Sequence, residues 1–281
     1  MNWLTEYKIP LGSWIKSLVD LLNAHAAGFF DFISWALGGL IDGMTDLLVA
    51  IPPLLLVVLL GLLAWFLHRS WHLVALVVIS LLLIINLGYW QETLETLALV
   101  VSATVICMLI GIPLGIMAAH RPRFYTVLRP ILDLMQTIPT FVYLIPTLIL
   151  FGLGVVPGLI STVIFALPAP IRLTYLGVSR VPTPLIEAGQ SFGASPSQLL
   201  WKVELPYAMP TIMAGLTQCI MLSLSMVVIA ALVGADGLGK PVVRALNTVN
   251  VARGFEAGLA IVLLAIMLDR LCRRPGTSGE G

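Results

Sequence analysis

Charge is scarce in this chain. Of 281 residues, 15 are Lys or Arg and 14 are Asp or Glu, so 10% are charged, against 59% hydrophobic. A water-soluble domain is about one quarter charged, and so few charges do not cover the surface of a soluble fold of this length. The composition excludes a soluble globular domain and makes the bilayer the main solvent. The net charge of +1 leaves no basic field for nucleic acid. Cysteine is also sparse. Cys107, Cys219 and Cys272 are too few and too scattered for a disulfide framework, and the first two sit in apolar runs as small core residues. The start, MNWLTEYKIPLG, lacks the charged stretch, short apolar run and small-residue cleavage site of a removable signal peptide, so insertion is expected to use retained spans. No H-E-x-x-H, no G-x-S-x-G and no paired mid-span aspartates are present, which leaves an intramembrane enzyme without a constellation. No acidic or histidine chain lies mid-membrane either, and this weighs against the main rival class, an ion-coupled secondary transporter of small solutes.

What is present are apolar stretches long enough to cross the hydrocarbon, which takes about 17 to 25 residues. They fall at 51–67, 71–88, 93–118, 131–152, 158–178, 208–233 and 255–271. The expected fold is an all-α integral membrane protein of about seven transmembrane helices, with its termini on opposite sides. Placing the C-terminus in the cytoplasm puts ten Lys and Arg inside (Arg69, Arg121, Arg123, Arg129, Arg172, Arg180, Lys202, Arg270, Arg273 and Arg274) and five outside. That asymmetry predicts N-terminus out, C-terminus in.

Residues 13–50 carry Asp20, Asp31, Asp42 and Asp46 too often for a crossing helix. Lys16, Asp20, Asn23, Ala27, Asp31, Ser34, Gly38, Asp42 and Thr45 advance in steps of three and four, which puts them on one helical face. Trp14, Leu18, Leu22, Phe29, Phe32, Ile33 and Leu40 lie opposite. The pattern predicts an amphipathic element on the outer face, broken at Gly38-Gly39, lying either in the membrane interface or flat on the protein's own spans. In the fourth span, Gln136, Thr140, Tyr143 and Thr147 form a polar stripe beside Pro139 and Pro146. In the sixth, Thr211, Gln218 and Ser225 do the same. Such stripes either line a passage or glue helices together.

The segment between the fifth and sixth spans is the most informative. Thr183-Pro184 offers a cap and a first-turn proline for a short helix through Glu187 and Ala188, and Gly193 offers a left-handed end. Ser195-Pro196-Ser197-Gln198 reads as a capping box opening a second short helix, expected to run to about Val203 and stop before Pro206. These elements make a rigid knob on the cytoplasmic side.

Glu187-Ala188-Gly189, Gly193 and Val203-Glu204-Leu205-Pro206 resemble the EAA---G---------I-LP loop of ABC importer permeases, with Gly189 in place of the second alanine and Val203 in place of isoleucine. The flanking stretches 135–154, 163–178, 211–239 and 254–270 are similar to permeases of glycine betaine, proline betaine and choline importers. The resemblance implies a type I importer permease core over 91–272, with a coupling loop at 180–206. Two further spans at 51–90, the interfacial segment 1–50 and a cytoplasmic tail 273–281 complete the expected organisation. It implies coupling residues Glu187, Ala188, Gly189, Gly193, Ala194, Ser195, Leu205 and Pro206; the polar stripes, read as lining a passage, put the expected translocation pathway at Gln136, Thr140, Tyr143, Thr147, Gln218 and Ser225. The expected partners are two ATP-binding cassette subunits that hold ATP and Mg, a second permease copy, and a periplasmic or lipid-anchored binding protein. The chain itself is expected to bind no cofactor, metal or nucleic acid and to sit in the bacterial cytoplasmic membrane.

Two motifs point elsewhere and are set aside. Gly234 to Lys240 fits G-x-x-x-x-G-K, but Pro241 stands where Ser or Thr would ligate Mg²⁺, and the segment falls on the outer side. His68 and His72 share a spacing of four with Arg69 where a zinc protease has glutamate, and read as interface histidines.

Overall fold

The computed structural model describes residues 11–272, apart from the side chains of Leu11, Ile15 and Leu18. Stretches 1–10 and 273–281, with Lys8, Arg273, Arg274 and the tail, lie outside the described residues. Among the described residues the chain forms thirteen α-helices and one π-helical turn, with no strand.

Helix α1 (Leu11–Val49) breaks at Ala26 (φ −123°, ψ 17°), not at Gly38-Gly39. Gly38 faces Val156 without being required there, since a Cβ would make an ordinary contact with it at 3.6 Å. Ile41 is buried against Ala98, Ala103 and Leu159, and Phe30 meets Phe151 edge-on at 5.3 Å. Ser34, Gly38 and Thr45 thus turn toward the bundle, while Asp20, Asp31, Asp42 and Asp46 stay exposed. Phe29, Phe32, Trp35, Leu40 and Leu47 form a third, exposed apolar side. The helix therefore has three sectors, where the sequence pattern suggested two.

The hairpin α2 (Pro53–His68) and α3 (Trp71–Leu87) turns on a left-handed Arg69 and ends on a left-handed Gly88. At 16 and 17 residues these helices reach about 25 Å, slightly short of a hydrocarbon core. Helix α4 (Trp90–His120) is the central post. Pro113 inside it is flanked by Gly111 and Gly115, whose missing side chains let α8 approach: a Cβ on Gly115 would lie 2.6 Å from that of Thr174. Glycines elsewhere in the apolar helices differ in use, since Gly158 is also pressed on Ala230 whereas Gly258 has open space.

The span expected at 131–152 is not one helix. α5 (Pro122–Thr137) and α6 (Thr140–Phe151) meet at 95°. The cause is local: a residue before proline avoids the helical region, and Ile138 is extended at ψ 129° ahead of Pro139. α7 (Val155–Ala166) and α8 (Pro168–Ser179) run on as a single 25-residue apolar segment. After the short α9 (Thr183–Ser191) and α10 (Pro196–Leu199), a π turn at Leu200–Glu204 leads directly into α11 (Leu205–Ala231). α12 (Gly239–Asn247) and α13 (Val251–Cys272) complete the chain.

Contacts sort the connections onto two ends of the bundle. At one end His68 Nε2 donates to the Leu271 carbonyl near the last described turn of α13, at 3.0 Å. The α9–α10 loop and the end of α4 belong to this end. At the other end Gly154 N donates to Val233 O and Leu238 N donates to Thr96 Oγ1, both within 2.9 Å.

Candidate functional site

The knob between α8 and α11 is built from three local devices. Helix α9 starts one residue earlier than a Thr183 cap requires: Pro182 holds the cap position and no side chain caps the helix. Its other end closes with paired backbone bonds, Ala194 N to Gly189 O at 3.1 Å and Gly193 N to Gln190 O at 2.8 Å. This is a Schellman closure, and it needs a left-handed residue, which Gly193 supplies at φ +78°. The capping box forms in both directions: Ser195 N donates to Gln198 Oε1 at 2.8 Å and Gln198 N donates to Ser195 Oγ at 3.3 Å.

The second knob helix does not stop before Pro206. Leu205 N reaches back to Leu200 O, five residues away. Proline lacks a donor and crowds the carbonyl four residues before it, and the wider π turn relieves that crowding. Residues 196–231 therefore form one helical run of 36 residues. The knob and α11 are mechanically one lever.

Gly189, where the family loop has alanine, lets the two knob helices close up: a Cβ there would lie 2.6 Å from a Leu199 methyl, and Leu199 is buried. Glu187, Ala188, Ser195 and Pro206 are exposed, Ala194 is half-buried and Leu205 is buried. The knob also shows apolar surface to water, with Phe192 at 92% and Trp201 at 68% exposure. Phe192 at the turn and Trp201 at the base are large apolar side chains of the kind a partner surface covers.

One contact at this site has no counterpart in the sequence patterns. Glu204, buried at the end of the π turn, pairs with His120 at the end of α4, Oε2 to Nε2 at 2.8 Å. The two residues are 84 apart in sequence, and no spacing rule links them.

The six pathway residues separate. Gln136 lies on α5, across the 95° bend from the rest of its stripe. Thr140 is half-buried at the start of α6. Tyr143 is buried and its hydroxyl donates to Met135 O, tying the two arms of the bend. Thr147 is buried and bonds the Tyr143 carbonyl and the Ser161 hydroxyl, both at 2.9 Å, so it joins α6 to α7. Gln218 and Ser225 share an exposed face of α11 with Tyr207, Ala214 and Met221. Thr211 is half-buried, and Ser225 bonds its own helix at Met221 O.

The G-x-x-x-x-G-K segment is a packing loop. Gly234 and Gly237 have φ of +92° and +115°, and a Cβ on Gly239 would run into the Val227 carbonyl. Lys240 is engaged by Asp236. Near α8, Arg172 bonds Asp133 at 2.6 Å and Tyr175 stacks on Tyr125 with centroids 3.7 Å apart, so that ring is already taken by a neighbour.

The comparisons with known proteins agree with this architecture. Residues 111–274 match the family described as binding-protein-dependent transport system inner membrane component. The glycine betaine/carnitine transport permease protein GbuB of Listeria monocytogenes is 47% identical over 94% of this chain and 94% of its own length. The glycine betaine/proline betaine transport system permease protein ProW of Escherichia coli is 46% identical over 95% of this chain and 75% of its own. The glycine betaine transport system permease protein OpuAB of Bacillus subtilis is 47% identical over 94% and 93%. Among solved structures, an inward-facing MetNI methionine ABC transporter chain superposes with a TM-score of 0.55 at 25% identity, over 62% of this chain and 88% of that one. With a family match over more than half of its length and relatives aligned nearly end to end, this chain belongs to the permease subunits of binding-protein-dependent ABC importers, multi-pass proteins of the inner membrane.

Proposed function

We propose that the chain is the permease of an importer of quaternary ammonium solutes, of the glycine betaine, proline betaine, carnitine and choline class. It works as a pair of copies with two ATP-hydrolysing subunits and an external binding protein, and holds no nucleotide of its own. The substrate class rests on what the relatives transport. The single observation that carries the coupling role is the knob: a doubly closed, apolar-tipped helix pair continuous with α11.

The mechanism follows from that continuity. ATP-driven closure of the two ATPase subunits draws the two Glu187–Pro206 knobs together. Because the run from Pro196 to Ala231 is unbroken, displacement at the knob swings the Gln218 and Ser225 face of α11 and alternates the access of the space between the copies. A soft loop would absorb the movement. The Schellman closure and capping box prevent this. Orientation follows the Lys and Arg asymmetry, with the knob end cytoplasmic and the α12 end outside.

Cation recognition by aromatic rings needs several faces free. Tyr143 is buried and Tyr175 is stacked on Tyr125, which leaves Phe141 on α6 and Tyr207 on α11 as exposed rings, too few for a cage, so selectivity is assigned to the binding protein. The test is ATPase stimulation of the assembled complex by each of the four solutes. Stimulation by one or more of them, transmitted through the binding protein, is expected; a complex indifferent to all four refutes the substrate class. Labelling Asn23→Cys and Ser278→Cys variants from the two sides of the membrane tests orientation, and reaction of both from the same side refutes it.

A further inference from the structure

The knob carries no side-chain hydrogen bond or ion pair to any other helix, among the described residues, except at one point: Glu204 to His120. Glu204 closes the π turn, the place where the knob becomes α11. His120 is the last residue of α4, the post on which α8 packs through Gly111 and Gly115. Around the pair lies an apolar cluster of Val178, Leu205, Ala208 and Ile212 backed by Ile116 and Ala119. Among the described residues the pair is thus the polar pin between the base of the knob and the end of α4.

We propose that His120 and Glu204 form a positioning latch that fixes the seat of the knob on α4, so that force entering the knob goes into α11 and is not lost in local re-seating. The proposal rests on the coupling role of the knob. Glu204 stands at a position the family loop pattern leaves open and His120 lies outside that loop, so the pattern assigns neither residue a role.

The burial of the two side chains is unequal, at 47% exposure for His120 and 10% for Glu204. Removing the imidazole leaves a buried carboxylate without its partner. Removing the carboxylate leaves a half-exposed imidazole that water satisfies. Breaking a buried pair is costly because of the charge left behind. The latch therefore predicts an order: His120→Ala is worse than Glu204→Ala, and His120→Ala combined with Glu204→Gln, which removes the stranded charge, recovers part of the loss.

The experiment uses the full complex of permease, ATPase and binding protein in proteoliposomes, with radiolabelled glycine betaine as probe, and reads solute imported per ATP hydrolysed. His120→Ala is expected to lower that ratio about tenfold at unchanged membrane abundance and ATPase retention, Glu204→Ala by less, and the Glu204→Gln double variant to recover at least half of the loss on a logarithmic scale. An unchanged ratio in His120→Ala overturns the latch. So does loss of membrane abundance in place of lost coupling, which assigns the pair to folding. The unmodified complex separates this proposal from the one beneath it: absence of ATP-driven uptake there overturns the coupling role of the knob and the latch with it.

Discussion

At one end of the bundle Gly193 turns the chain at φ +78° with nothing within 4 Å of where a Cβ would stand; at the other, Gly237 turns it at φ +115° with the Thr96 hydroxyl 2.5 Å from that point. Both segments are glycine-bearing connections leading into or out of α11. The knob uses glycine for backbone conformation in open space, and the outer loop uses it for conformation and close approach together. A substitution in the knob should therefore injure a local shape and leave the bundle standing, whereas one in the outer loop should injure the bundle.

The largest effect is expected from Gly239→Val. The Val227 carbonyl and the Ala231 methyl occupy the space, overpacking costs about 3 kcal/mol, and membrane abundance should fall several-fold in quantitative immunoblots. Normal abundance would erase the contrast between the two ends. Gly115→Val should follow, at about 1–3 kcal/mol, because Thr174 and the Ile171 carbonyl lie under 3 Å from its Cβ. A fluorescence-detected thermal shift in detergent measures it. Ser195→Ala removes the forward half of the capping box and should cost about 1 kcal/mol of knob stability, seen as faster proteolysis of 183–204 at unchanged abundance. The smallest effect belongs to Gln218→Ala. Exposed and without a side-chain hydrogen bond among the described residues, it should leave stability within about 0.5 kcal/mol and lower uptake about twofold.

The knob was legible in the sequence because its devices are local: Ser195 and Gln198 are three apart, and Gly193 directly follows the helix it ends. The span windows were legible for the same reason, each being a run of neighbours. Pro139 also gave a local signal, yet a proline inside an apolar run reads equally as a kink or a right-angle bend, and the Tyr143 hydroxyl bond to Met135 O that spans the bend has no mark in the spacing. That bend divides the Gln136 to Thr147 stripe, whose even spacing presumed a straight helix. The Gly38-Gly39 break does not appear because Leu37, Ile41 and Met44 beside it pack on the cluster of Ala98, Ala103 and Leu159, and tertiary packing overrides the low helix propensity of glycine. The pairing of His120 with Glu204 had no signal, since residues 84 apart are brought together only by the crossing of α4 with the base of the knob.

The central claim is that the knob is a coupling device and not merely a turn needed for folding, and Gly193→Val tests it most directly. A β-branched residue must strain or rebuild a turn that requires φ +78°, while the space around it is empty, so the bundle has no reason to fail. The measurement is membrane abundance, co-purified ATPase and solute uptake on the same preparation. Abundance near that of the unmodified chain, with bound ATPase or uptake reduced about tenfold, is the predicted result. Normal abundance with normal uptake, or absence from the membrane altogether, would contradict it.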